Sequence, residues 1–139
     1  MIANQFTEAL RTLAADGQEL QLGADGSAEI ETGGVAMTFV VPESSQDTVY
    51  CRACVGGTDG LDVDALSLAL LGDNFMWQAT EGATLSLRED KVYLTDRRDD
   101  AYFVQPGMLS EYVVRFASTV RLVREQMETF RPAAGEEAR

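Results

Sequence analysis

The sequence predicts an α/β sandwich of the α+β kind, in the order helix, antiparallel strands, helix, two-stranded hairpin and long C-terminal helix. Three observations predict it: helical apolar spacing at the N-terminus, six short alternating segments bounded by turn residues, and an unbroken amphipathic run from Pro106 to Phe130. With 139 residues the chain has room for one domain, placed at residues 1–130, followed by a flexible tail over residues 131–139 that has little to pack.

Each element has its own signal. Ile2, Phe6, Leu10 and Leu13 recur at spacings of four, four and three, which lays them on one face of a helix over residues 3–15, with Gly17 as terminator. Residues 19–22 and 28–31 alternate around Ala24, Asp25 and Gly26 and read as a hairpin. The turn Thr32, Gly33, Gly34 leads into a strand over residues 35–41, with Val35, Met37, Phe39 and Val41 on one face. Residues 42–47 read as a loop. A fourth strand over residues 48–55 sets Val49, Cys51, Ala53 and Val55 against Tyr50, Arg52 and Cys54 and stops at Gly56 and Gly57.

A second helix begins near Asp62, a good N-cap, with Asp64 close to the positive end of the helix dipole. From Ala65 to Leu71 only Ser67 is polar, so apolar side chains run most of the way round the wheel. One flank cannot bury them, and a second copy of the chain is the expected second cover. The homodimer contacts expected from this are Leu66, Leu70, Phe75, Trp77 and Leu85. Residues 83–87 and 92–95 then alternate across the charged turn Arg88, Glu89, Asp90, Lys91 as another hairpin. Residues 96–100 read as a polar loop. Pro106 suits a first helical turn, after which Leu109, Val113, Phe116, Val120, Val123, Met127 and Phe130 form a stripe with a seven-residue repeat. Three heptads fit a long helix docked on a sheet better than an independent coiled coil.

Composition excludes several function classes. Eleven basic residues against 23 acidic ones give a net charge of −12, which opposes binding to nucleic acid and to anionic membrane. The acidic excess sits in residues 1–105, and residues 106–139 are neutral. No histidine is present, which removes His bases, triads and ligands together. Cys51 and Cys54 form a CxxC spacing, but three residues apart on a strand they point to opposite faces, and no further Cys or His completes a zinc site. Neither a phosphate-binding glycine loop nor a base for a Ser or Thr nucleophile is recognisable. The expectation is a non-enzymatic, cytoplasmic binding protein that uses no cofactor and no metal and does not insert into membrane.

The order of elements over residues 2–130 resembles the class I type III secretion chaperones, the CesT-like family of small acidic dimeric proteins. The resemblance is carried by residues 66–75, LSLALLGDNF, followed by GATLSL at 82–87 and Val92, Tyr93, Leu94. Met76 and Trp77 after the Asn-Phe pair, and a weak first hairpin, depart from the family pattern. The resemblance implies a homodimer that holds the N-terminal region of a secreted effector in extended form until export. Apolar residues of the first helix and adjoining strands, Ile2, Phe6, Leu10, Leu13, Leu20, Leu22, Met37 and Phe39, are the expected effector-binding groove. A small regulatory or sensory domain of similar topology, binding a small ligand or a folded protein, is the alternative.

Overall fold

The computed structural model describes residues 4–15, 17–18, 20–22, 27–42, 47–74, 82–105 and 107–132. Helix α1 (Asn4–Ala15) is followed by strands β1 (Leu20–Leu22), β2 (Ala28–Thr32), β3 (Val35–Val40) and β4 (Thr48–Gly57). Helix α2 (Val63–Asn74), strands β5 (Thr84–Arg88) and β6 (Lys91–Asp99), a 3-10 turn (Asp100–Phe103) and helix α3 (Met108–Glu128) complete the chain. All strand pairings are antiparallel, in the order β1-β2-β3-β4-β6-β5, so the edges belong to β1 and β5.

Strand alternation decides what each face of the sheet carries. In β3, Val35, Met37 and Phe39 point inward and are buried while Ala36 and Val40 face solvent; β4 repeats this with Val49, Cys51, Ala53 and Val55 against Tyr50, Arg52 and Cys54. The β2–β3 turn needs left-handed backbone at two successive residues, and Gly33 (φ 57°) and Gly34 (φ 78°) supply it without a side-chain penalty.

Against the inner face lie α1 and α3. The seven-residue stripe of α3 is the face that docks: Leu109, Val113, Phe116, Val120, Val123 and Met127 are all buried, and Phe130 just beyond the helix is partly so. Two arginines tie the far end of α3 to the sheet: Arg121 donates to the Gly33 carbonyl at 3.0 Å and Arg124 Nε to the Val55 carbonyl at 2.8 Å. At the other end the buried Asp100 carboxylate accepts from the Phe6 amide at 2.9 Å, satisfying a donor of the first turn of α1.

Three sequence expectations are corrected. Residues 96–100 are not a polar loop: β6 continues to Asp99, because β4 starts at Thr48 and pairs Thr48, Tyr50 and Cys51 with Asp99, Arg97 and Asp96. The fourth strand runs past Val55 to Gly57, with a register shift between Cys54 and Gly56 that absorbs the small residues as a bulge. Helix α3 ends at Glu128, two residues short of Phe130. The expected turn at residues 24–26, the helix start at Pro106 and the tail from residue 133 lie outside the described residues.

Candidate functional site

The residues expected to form a groove between α1 and the sheet are brought together, but they fill that space themselves. Phe6 and Leu13 of α1 and Met37 and Phe39 of β3 are all buried. Their packing is largely aromatic: Phe6 lies 5.3 Å from Phe39 and 5.1 Å from Phe103 between ring centres, and Tyr112 lies 6.0 Å from Phe39. This cluster clamps α1 onto the sheet. What remains accessible is its rim, where Leu10 of α1 and Leu20 of β1 are partly buried against the core. Leu22 lies in β1, with its side chain outside the described residues, as is the whole of Ile2.

The rim adjoins an open strand edge. β1 pairs with β2 along one side, and the other side of Leu20–Leu22 is the sheet boundary. Backbone donors and acceptors on such an edge can accept a further strand, and the partly buried Leu20 gives it apolar surface.

Helix α2 carries the second accessible apolar surface. Leu66 and Leu70, expected at a dimer contact, instead point into the protomer's own core, as does Leu85. The exposed side is Leu68 at 72% and Leu71 at 69%, joined by Val63 at 40%. Phe75 and Trp77 lie outside the described residues. The sequence expectation of two covers placed Leu66, Leu70 and Leu85 at the outer one, whereas the fold buries them within the protomer and leaves Leu68 and Leu71 as the exposed leucines of α2. The missing step was to subtract the i, i+4 pair that reaches the sheet, which leaves Leu68 and Leu71 at i, i+3 on another face.

Beneath α3 lies a polar cluster that the sequence did not reveal. Asp96, 7% exposed, accepts from Tyr112 Oη at 2.6 Å, from Arg98 Nε at 3.0 Å and from the Arg97 amide at 2.8 Å. The Arg98 guanidinium also lies 4.9 Å from the Tyr102 ring centre and 5.7 Å from that of Tyr112. The adjoining cavity is ≈ 30 Å³, against the roughly 300 Å³ or more of usual ligand pockets. It fits a water and not a metabolite.

Burial raises the Cys51 thiol well above its ordinary 9.0, with the Asp96 charge adding to the rise. Burial likewise pushes the Tyr112 hydroxyl up from its ordinary 10.0, assisted by Cys51 and by the hydrogen bond to Asp96. In the unfolded chain both groups lose their protons near those ordinary values, whereas the folded state keeps them. Their contribution is therefore complete below about pH 8 and is lost progressively above the ordinary value of each group, as pH climbs toward the raised folded values, at about 1.4 kcal/mol per pH unit for each group. Denaturation midpoints at pH 8 and 11 should fall less steeply in Cys51→Ala than in the parent; equal slopes would reject the burial argument.

Cys54 faces solvent on the opposite side of β4, as strand alternation requires. Among the described residues no group of three or more Cys, Asp or Glu is placed to hold a metal ion, and no helix is long and apolar enough to cross a membrane.

A comparison with curated protein sequences finds no match. Among solved structures the fold is similar to that of the ExsC-ExsE complex, with a TM-score of 0.70, 17% identity, and 91% of this chain and 92% of that chain covered. It is also similar to the HopA1-SchA chaperone-effector complex, with a TM-score of 0.60, 12% identity and coverages of 94% and 96%. A third similar structure is the Yersinia pestis type III secretion chaperone SycH in complex with a stable fragment of YscM2, with a TM-score of 0.59, 11% identity and coverages of 91% and 99%. The pattern of the Tir chaperone protein (CesT) family matches residues 5–122, from the first turn of α1 to within six residues of the end of α3. Since that match spans the helices, the whole sheet and the connections between them, this chain belongs to the CesT family of chaperones.

Proposed function

We propose that this chain is a cytoplasmic type III secretion chaperone that binds the N-terminal region of a secreted effector in extended form and keeps it competent for export. The observation that carries this reading, beside family membership, is the edge strand β1 with its half-buried Leu20, together with the half-buried Leu10 of α1. An extended segment gains main-chain hydrogen bonds along the edge and places alternate side chains on the α1 rim. Phe6, Leu13, Met37 and Phe39 support that rim from below, and their own surfaces are already committed to the core. The mechanism is binding alone: it needs no cofactor and no catalytic group.

The test is a Leu10→Glu, Leu20→Glu double variant, titrated with an N-terminal fragment of a candidate effector. Each apolar anchor contributes about 1.5–3 kcal/mol before ordering costs, so affinity should drop by roughly a hundredfold or more with the cooperative melt retained. Unchanged affinity in a folded variant would move the effector away from this rim.

The same reading includes a homodimer formed through α2. Leu68 and Leu71 present two leucines to solvent on a helix whose opposite face is already packed, an arrangement that a second copy covers symmetrically. Leu68→Glu should weaken self-association by roughly a hundredfold while the monomer stays folded. Leu70→Glu should instead unfold the chain, because it buries an unpaired charge. Sedimentation showing the parent at the 15.1 kDa chain mass at micromolar concentration would overturn the assignment.

A further inference from the structure

The uncovered face of the sheet gathers the protein's uncommitted positive charge. Among the ten described cations, Arg11, Arg98, Arg115 and Arg131 are in ion pairs with carboxylates. Arg121 and Arg124 are bound to backbone carbonyls of the sheet. The four others, Arg52, Arg88, Lys91 and Arg97, make no ion pair among the described residues, and all four fall on one surface.

Strand register places them there. Arg52 of β4 alternates with buried Cys51 and Ala53; Lys91 and Arg97 of β6 alternate with buried Val92, Leu94 and Asp96; Arg88 of β5 lies on the same side as exposed Ser86. Tyr50 stands directly opposite Arg97, Thr95 opposite Arg52, and Lys91 opposite Arg88. The Arg88–Lys91 pair holds two like charges face to face, which opposes the hairpin unless an anion joins them. Tyr93 lies between the rows, with the Arg52 guanidinium 5.9 Å from its ring centre. An open groove of about 380 Å³ runs between Arg52, Ser86, Arg88, Glu89, Tyr93 and Thr95. Three row steps separate the Lys91 and Arg97 ends, roughly 20 Å or about six extended residues.

We propose that this outer face is a docking surface for an acidic peptide segment, separate from the α1 rim. Its occupant is an extended stretch of about six residues with carboxylates facing Arg52, Arg97 and the Arg88–Lys91 pair. Charge complementarity selects it: the chain as a whole carries −12 and repels polyanions, so an acidic partner can settle only where cations are concentrated and unpaired. The guanidinium forks of Arg52 and Arg97 match carboxylates in two-point hydrogen bonding, and the hydroxyls of Ser86 and Thr95 add neutral donors. Glu89 at the groove's end, Asp99 two residues beyond Arg97 on the same face of β6, and Glu29 on β2 mark where the anionic segment must stop.

The experiment uses the full chain and a fluorescein-labelled hexaglutamate peptide, read by anisotropy at low salt. Binding should saturate at submillimolar protein and weaken at least tenfold between 20 and 200 mM salt, consistent with screening. Arg52→Glu, Arg97→Glu should abolish it, whereas Arg11→Glu, Arg115→Glu on the exposed helix surfaces, with the same change in net charge, should leave it within twofold. Since both positions on the sheet are exposed, a retained melting transition is expected; Arg52→Gln, Arg97→Gln, which only neutralises, should still reduce affinity at least fivefold. No binding at millimolar protein, or equal loss in both charge-reversed variants, overturns the proposal. Preferential binding of phosphatidylserine vesicles or of a single-stranded oligonucleotide over the peptide at equal charge also overturns it, since the surface would then read phosphates.

Discussion

Replacing Phe39 by alanine is expected to remove about 3–5 kcal/mol of stability, a large share of the roughly 5–15 kcal/mol that folded domains of this kind possess. Phe39 is 1% exposed and stands where three parts of the chain meet: α1 through Phe6, α3 through Tyr112, and its own strand opposite Cys51 of β4. The ring cannot be replaced by shifting one neighbour. Phe6 is held by Phe103 and by the Asp100 carboxylate on its amide, and Tyr112 is stacked on Phe116 and hydrogen-bonded to Asp96. The cavity therefore stays open, which puts the cost at the upper part of the range for such truncations. Urea denaturation should show the midpoint falling with the slope unchanged. A loss below about 1.5 kcal/mol would mean that α1 collapses into the space and that its seat on the sheet is adaptable. Phe39→Glu, for the same reason, tests folding and not effector binding.

The second large effect is expected at Asp96. Truncation to alanine removes the acceptor of the Tyr112 hydroxyl, of Arg98 and of the Arg97 amide at once, beneath a helix that excludes most water. Leaving such donors without a partner should cost about 2–4 kcal/mol. Asp96→Asn keeps an acceptor oxygen and should recover roughly half of that, while Tyr112→Phe, which leaves the carboxylate its arginine, should cost about 1 kcal/mol. Equal losses for Asp96→Ala and Asp96→Asn would show that the charge, and not the hydrogen bonding, holds the cluster together.

These two residues also show what could be read from the sequence. Phe39 was legible because Val35, Met37 and Phe39 alternate with smaller or polar residues, and a half-buried strand imposes that period. Asp96 was not legible: a buried carboxylate interrupts the apolar alternation of Val92 and Leu94, and only the partners Tyr112 and Arg98, brought by tertiary structure, make its burial tolerable. Tyr112 escaped for a related reason. A strict seven-residue stripe describes the narrow seam of a coiled coil, whereas a helix lying on a sheet buries a wider face that takes in Tyr112, Ala117 and Thr119.

The candidate site divides in the same way. Sequence spacing found the α1 stripe, but spacing alone does not say whether a stripe meets the chain's own sheet or a foreign segment. In the structure Phe6 and Leu13 meet the sheet while Leu10 is left at the rim. The all-round apolar character of α2 signalled two covers, and the geometry then divided Leu66 and Leu70 from Leu68 and Leu71. The pairing state of arginines has no sequence signature of this kind, since it depends on which carboxylates the fold brings within reach.

Among the described residues helix α2 rests on the remainder of its protomer mainly through β5, an edge strand, and a backbone bond from the Asp62 amide to the Phe130 carbonyl secures its start. Its amides can open to solvent by peeling from that edge, without unpairing the centre of the sheet. With the proposed α2 dimer, deuterium uptake in α2 is expected to depend on protein concentration. On dilution the helix exchanges faster, while the amides of Val92 and Leu94, between β4 and β5, keep the lifetime set by global unfolding. In the dimer proposed above, the α2 seam is, in each separated copy, the first part to loosen.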